Sequence, residues 1–480
     1  MAAKKSLSYR FTIAILILLI LITFLFTGCP TPSDSNNGPD VTTGETINWG
    51  VNNLTTWADA QYGITNGGDG KTHIITVSGN VTIPPTASLT NTFGSVKNIT
   101  IIIQGTGTIN TSDSGRMLYI GNGQTVTVRN LNLQGRANAG SLIYVSTGGT
   151  FRMEGSSRVT GNTTQSGSYD TSAGGVYVSG GTFIMQDEAV VSYNTVSTSS
   201  INREASGGGV YLSGGSFTMR DNARVENNTA SISYSMNNAY GGGVYVYSGT
   251  FTMEGGSVSN NTVNGGDYGN GQGGGVYVNP YYGGTFIMYN GAISGNSVSS
   301  SDMVAVGGGV FGALTMHNGI ISNNSVTTIN TSNNGLVEAS GGGVRGTLIM
   351  HGGTISGNKV IAGRTWGTNS DVYAFGGGVY GSLTMDGGTI SGNTTSASND
   401  VNPERAAANG GGVYAVLQSS LTKTGGTIYG NTAAGDLKNI ATGGKGHAVF
   451  AGYMGGVNNW RNATAGPGDT SARLDFWLNE

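Results

Sequence analysis

Apolar residues along most of this chain fall in short runs that alternate with polar ones, each run ended by glycine or asparagine. Such a period-two pattern predicts short β-strands rather than helices. The pattern also repeats at long range. A Gly-Gly-Val core places Val176, Val210, Val244, Val276, Val310, Val344, Val379 and Val413 at gaps of 32 to 35 residues. One unit, Gly241 to Val263, holds three strand-like runs: Val244 to Val246, Thr250 to Met253, and Ser257 to Ser259. A Ser/Thr/Asn-rich stretch of varying length then leads to the next glycine triplet.

A fixed period of this length with three strands and glycine corners predicts an all-β fold, one coil of a parallel β-helix per repeat. In-register stacking would bring residues one period apart into vertical columns. Three such columns read as inward walls. One is the valines above. A second is Phe151, Phe183, Phe217, Phe251, Phe286, Leu314, Leu348, Leu383 and Leu421, with a methionine two residues after each up to Met385. The third runs Val159, Val191, Val225, Val258, Ile293, Ile321, Ile355, Ile390 and Ile428. Asn162, Asn194, Asn228, Asn261, Asn296, Asn324, Asn358, Asn393 and Asn431 mark one corner, read as stacked amides and as turn residues, two compatible roles. A single coil cannot cover its own faces, so stability must come from stacking. Counting first strands from Ile99 to Val449 predicts about twelve coils, a rod on the order of 60 Å long. Leu54, Trp57 and Ala58 share one face of a predicted N-terminal helix that would cap the open end.

Composition narrows the functional classes. Glycine accounts for 85 of 480 residues, yet it does not recur every third position and proline is scarce, which excludes collagen. Charged residues are 10% and net charge is −3, so no basic surface exists to neutralise a nucleic acid. The single cysteine, Cys29, permits no intrachain disulfide. It follows Lys4, Lys5, Arg10 and a sixteen-residue apolar run from Phe11 to Phe26, shorter than the roughly twenty residues a spanning helix needs.

Residues 1–28 resemble a bacterial lipoprotein signal, with Phe26-Thr27-Gly28 before the cysteine. The resemblance implies lipidation at Cys29, export, and attachment to a membrane, in the outer membrane or at the cell surface; an uncleaved anchor is the alternative. Residues 29–46 read as a flexible tether, 47–110 as the cap and first coils, 111–452 as the repeats, and 453–480 as a C-terminal cap with Leu474, Phe476 and Leu478 turned inward.

The repeat itself resembles the right-handed parallel β-helix repeats of bacterial surface proteins, adhesin-like and polymorphic-membrane-protein-like chains within the pectin-lyase-like fold group. Gly-Gly-Val and Ser-Gly-Asn stand here where the polymorphic-membrane-protein repeats have Gly-Gly-Ala and Phe-x-x-Asn. That fold group also hosts polysaccharide lyases and glycoside hydrolases, which need a carboxylate cluster or calcium beside a basic group. Asp-Asp, Asn-Thr-Asp and Gly-His-Gly motifs are absent from the sequence, and the four histidines, His73, His317, His351 and His447, suggest no nucleophile triad.

Outward columns supply the remaining candidates. Glu154, Gln186, Arg220, Glu254, Tyr289, His317, His351 and Asp386 form one. In it Arg220 and Glu254 would pair, and His317, His351 and Asp386 carry metal-ligand chemistry. Asp187, Glu188, Asp221 and Glu226 lie on adjacent coils and suggest calcium; no other cofactor is implied. A second column, Tyr144, Tyr177, Tyr211, Tyr245, Tyr277, Phe311, Arg345, Tyr380 and Tyr414, offers a stripe on which sugar rings or a protein surface would lie. Alternatively, it is an ordinary outward ladder of good strand formers. The longest variable stretches, 325–340, 359–375 and 394–409, leave one corner as candidate binding loops. The function expected is a non-enzymatic, lipid-anchored surface rod that binds glycans or macromolecules. A polysaccharide-degrading enzyme and an inert spacer are the alternatives.

Overall fold

The computed structural model describes residues 45–470 except for 88–89, 139, 167–170, 201–202, 234–236, 268, 302, 332–335, 367–369, 418–419 and 453–458. Cys29, with the apolar run and the tether before residue 45, lies outside the described residues, as do Leu474, Phe476 and Leu478. Among the described residues no helix is long and apolar enough to cross a membrane.

The fold is an all-β parallel solenoid. Strand pairs follow the sequence period: Val210 stands opposite Val244, Phe217 opposite Phe251 and Met219 opposite Met253. Among the described residues, four sheets of twenty, twelve, ten and eight strands run along it, parallel except at the last strand of the first. The columns expected to point inward are buried together in one continuous core. Within it the phenylalanine rings of residues 183, 217, 251 and 286 stack at 4.7–4.8 Å with planes 9–10° apart. Burial of each such side chain contributes about 1.5–3 kcal/mol, and aromatic stacking adds about 0.5–1.5 kcal/mol per pair.

Each full coil has four walls, where three strands were expected. The first two expected strands belong to one sheet and fuse, in the coil of Gly241, into the single strand Val244–Met253. Ser257–Ser259 forms the second wall. The Ser/Thr/Asn-rich stretch is not a loop: it supplies a third wall, Thr262–Asn264, and a fourth, Asn270–Gln272. The reason is a second, thinner core. Alternate residues such as Val196, Ala230, Val263, Val298, Val326 and Val360 on the third wall pack against Ala205, Ala239, Ala305, Ala339 and Ala374 on the fourth. Alanine lets the two sheets approach closely, and on the third wall the intervening positions, mostly serine or threonine, face out. The candidate binding loops at 325–340, 359–375 and 394–409 are therefore mainly strands of these walls. Among the described residues, eight coils carry all four walls. Shorter coils, mostly N-terminal, bring the second sheet to twelve strands.

At the N-terminal end the helix Leu54–Asn66 starts at a capping box made by Asn53 and Thr56. It buries Trp57, Ala60 and Ile64, at i, i+3 and i+7. Leu54 and Ala58, expected on that face, are exposed. The Trp57 ring meets Phe93 at 6.2 Å and covers the core end. At the C-terminal end the methionine column closes on Lys423, which pairs with Met385. Its ammonium donates to the carbonyls of Gly466 at 2.6 Å and Asp469 at 2.9 Å. Asn459–Arg461 then pairs antiparallel with Val449–Ala451, ending the parallel stack.

Candidate ligand-binding surfaces

The outward aromatic column is in register. Tyr119, Tyr144, Tyr177, Tyr211, Tyr245, Tyr277 and Phe311 follow one another at centroid spacings of 4.6–5.1 Å. Arg345 replaces the next ring. Its guanidinium lies 5.8 Å from Phe311 and 5.0 Å from Tyr380, and Glu338 holds it at 3.3 Å. Tyr380, Tyr414 and Phe450 complete the ladder at 5.2 and 5.0 Å.

This column is not an open stripe. Tyr211, Tyr245, Tyr277 and Tyr414 are only 4–9% exposed. The fourth wall stands beside the first, and its outward side chains lean over the ladder. Tyr240 packs 4.6 Å from Tyr277, and Phe375 packs 4.5 Å from Tyr414. The phenols are satisfied locally: Tyr240 Oη donates to Glu204 Oε1 at 3.4 Å, and Tyr245 Oη accepts from Asn279 Nδ2 at 3.0 Å. Burial first, then neighbouring phenols and Glu204, pushes Tyr211, Tyr240 and Tyr277 far above the usual phenol range. Burial is also the main cause that pushes up Tyr245 and Tyr414, and Tyr177 and Tyr380 rise from burial too. Of the candidate stripe, Tyr177 and Tyr380 are half-buried and the other four are covered.

The open aromatic surface lies at the rim of the ladder instead. The coil after Val276 carries a longer corner before Phe286, and that corner contains Tyr281 and Tyr282. Tyr281 is 86% exposed and Tyr282 57%. Tyr282 stacks on Tyr247 of the neighbouring coil at 4.4 Å, planes 22° apart. Asn279 fixes the corner, because its Oδ1 accepts the Tyr281 backbone N–H at 2.9 Å while its amide binds Tyr245. Two phenols, Tyr281 and Tyr282, are thus open to solvent, with half-buried Tyr247 as the stacking partner that joins Tyr282 to the buried ladder. The signal in the sequence was the ten-residue step from Val276 to Phe286, against seven from Val210 to Phe217.

The second outward column is also in register. Arg220 and Glu254 pair at 2.9 Å with both side chains nearly half exposed, a contact worth about 0–1 kcal/mol. Tyr289 stacks on His317 at 4.8 Å, His317 on His351 at 5.0 Å, and His351 Nδ1 meets Asp386 Oδ2 at 2.8 Å. Among the described residues no group of three or more histidine, cysteine or acidic side chains converges on one point.

The acidic residues considered for calcium have other partners. Asp187 and Asp221 adopt left-handed turns with φ of 57° and 51°, a conformation that short polar side chains tolerate. The Asp187 carboxylate accepts the Gly155 N–H at 2.8 Å, and the Asp221 carboxylate accepts the Asp187 N–H at 3.1 Å. Glu226 turns to Arg224 at 3.6 Å, and Glu188 joins no such contact set with them. The other two histidines are structural in setting. Buried His73 accepts at Nδ1 from Trp49 Nε1, and His447 Nδ1 accepts from the Ala441 N–H.

Compared with known proteins, the chain matches no family model, no curated protein and no solved structure.

Proposed function

We propose that the protein is a non-catalytic display rod of a bacterial surface, of the adhesin-like kind, exported and held at the membrane by lipid on Cys29, and that it binds glycans. The observation that carries the binding half of this reading is the Tyr247–Tyr281–Tyr282 set. Tyrosine offers a flat apolar face to the C–H side of a sugar ring and a hydroxyl to its polar edge. Tyr282 is already held by its stack on Tyr247, and a side chain held in place loses little entropy on binding. The continuous hydrogen-bonded ladder behind them supports the rod half, since parallel stacking leaves each coil few alternative positions.

A glycan array probed with the full chain is the test. Binding is expected to fall at least about tenfold in a Tyr281→Ala/Tyr282→Ala double variant, from loss of stacking worth about 1–2 kcal/mol. Both positions are exposed, so the melting temperature should barely move. Unchanged binding would remove the rim as the site. Sustained turnover of a polysaccharide by the purified protein would favour a hydrolase or lyase and overturn the non-catalytic reading. The anchor is tested separately: Cys29→Ala is expected to move the protein from the detergent phase to the aqueous phase, and retention in the detergent phase would argue for an uncleaved anchor.

A further inference from the structure

We propose that His317 and His351 form an open binding site for a transition-metal dication of the zinc, copper or nickel class, with Asp386 as the residue that orients it. A carboxylate accepts but does not donate, so the 2.8 Å contact with Asp386 requires His351 Nδ1 to carry the proton. In the neutral ring the lone pair then sits on Nε2. A histidine whose second nitrogen is held by a carboxylate is the arrangement that fixes the tautomer of metal-ligating imidazoles and raises their basicity.

The neighbouring coil brings a second imidazole beside the first. His317 lies with its ring 5.0 Å from His351 and only 24° off parallel, so both rings project the same way from the sheet. Metal–nitrogen bonds of about 2.0–2.1 Å put two ligating nitrogens roughly 3–4 Å apart. Modest tilting of the two exposed rings about their terminal torsions, which are broad for histidine, spans that difference. Tyr289 stacks on the far face of His317 at 4.8 Å and limits its rotation away from His351. Two imidazoles leave further coordination positions to water or to a ligand from solution. Imidazole donors select zinc, copper or nickel over calcium and magnesium, which take oxygen.

Titration calorimetry of the full chain with nickel chloride tests the site, with calcium chloride in parallel. One equivalent of nickel should bind, with no heat from calcium. His317→Ala and His351→Ala should each weaken binding at least about tenfold, and Asp386→Ala by about 10–100-fold, the range seen when an outer-shell partner of a ligating histidine is lost. Asp386→Asn, which keeps an acceptor for the Nδ1 proton, should restore most of that loss. These side chains are exposed, so thermal unfolding of the variants should match the parent. No binding of nickel by the parent, equal affinity in His317→Ala, or equal affinity in Asp386→Ala would each overturn the site.

Discussion

Raising the pH past about 10 is expected to unfold this protein in one cooperative step. In the unfolded chain a phenol ionises near its ordinary value of 10.0. In the folded chain Tyr211, Tyr240, Tyr245, Tyr277 and Tyr414 are held protonated well above that value, chiefly by burial where the fourth wall packs on the ladder. Below pH 10 both states carry the proton and the full stability is present. Above it the unfolded chain releases protons that the native chain retains, so each added pH unit favours unfolding. The slope is up to about 1.4 kcal/mol per phenol per unit. Five phenols acting together give up to about 7 kcal/mol per unit, comparable to the whole stability of an ordinary domain. Circular dichroism and phenolate absorbance followed in the same alkaline titration check this. The absorbance step of the ladder tyrosines should coincide with loss of the β signal. Ladder phenols that ionise near 10 while the β signal persists would mean that solvent reaches the column.

The same tyrosines show where sequence reasoning stops. Their register was legible, because strand pairing repeats a one-residue-to-one-residue match every 32 to 35 positions. Their burial was not, because it depends on Tyr240 and Phe375 arriving from a wall that the Ser/Thr/Asn-rich stretches concealed. A period-two signal was present there, in Thr195-Val196-Ser197, Ser297-Val298-Ser299 and Ser325-Val326-Thr327. It was weak because the apolar members of the second core are valine and alanine, and the outward members are turn-favouring residues. The buried helix face departs from the sequence pattern for a different reason. Leu54 is the most apolar of its neighbours but sits at the first turn, where the helix has not yet reached the core, and Ala60 and Ile64 complete the buried face. The Tyr281–Tyr282 corner departs from the repeat, and column reasoning sees only what repeats. His317, His351 and Asp386 fell within reach of that reasoning because each follows a core methionine, or stands one residue past it, on consecutive coils.

Replacing Asn261 with alanine is expected to cost about 4 kcal/mol, from groups left unpaired rather than from lost apolar area. Asn261 is fully buried. Its Oδ1 accepts from the Asn228 backbone N–H at 2.9 Å and from Asn228 Nδ2 at 3.0 Å. Its Nδ2 donates to the Val225 carbonyl at 2.9 Å and to Asn296 Oδ1 at 3.0 Å. Alanine removes these four contacts and leaves the Asn228 N–H and the Val225 carbonyl inside the protein without them, at about 1–3 kcal/mol each. Space for a substitute is small, since a Cβ on Gly243 would stand 2.8 Å from Asn261 Nδ2. Aspartate is expected to do worse than alanine, because a carboxylate would face the Val225 carbonyl where a donor now stands. The C-terminal end supplies an internal control. Regular spacing nominates Asn431, yet the ladder passes from Asn393 to Asn439 at 2.8 and 2.9 Å, skipping a detour through the short helix Gly435–Leu437. Asn431 is exposed and Asn439 is fully buried. Urea unfolding should therefore show Asn439→Ala destabilised by an amount approaching that of Asn261→Ala, and Asn431→Ala within about 0.5 kcal/mol of the parent. Equal effects at 431 and 439 would mean that position in the repeat, and not the amide stack, sets the cost. A mid-rod lesion should also divide cooperativity, since each coil touches only its neighbours. Limited proteolysis of Asn261→Ala is accordingly expected to cut first near that coil and to leave two resistant fragments.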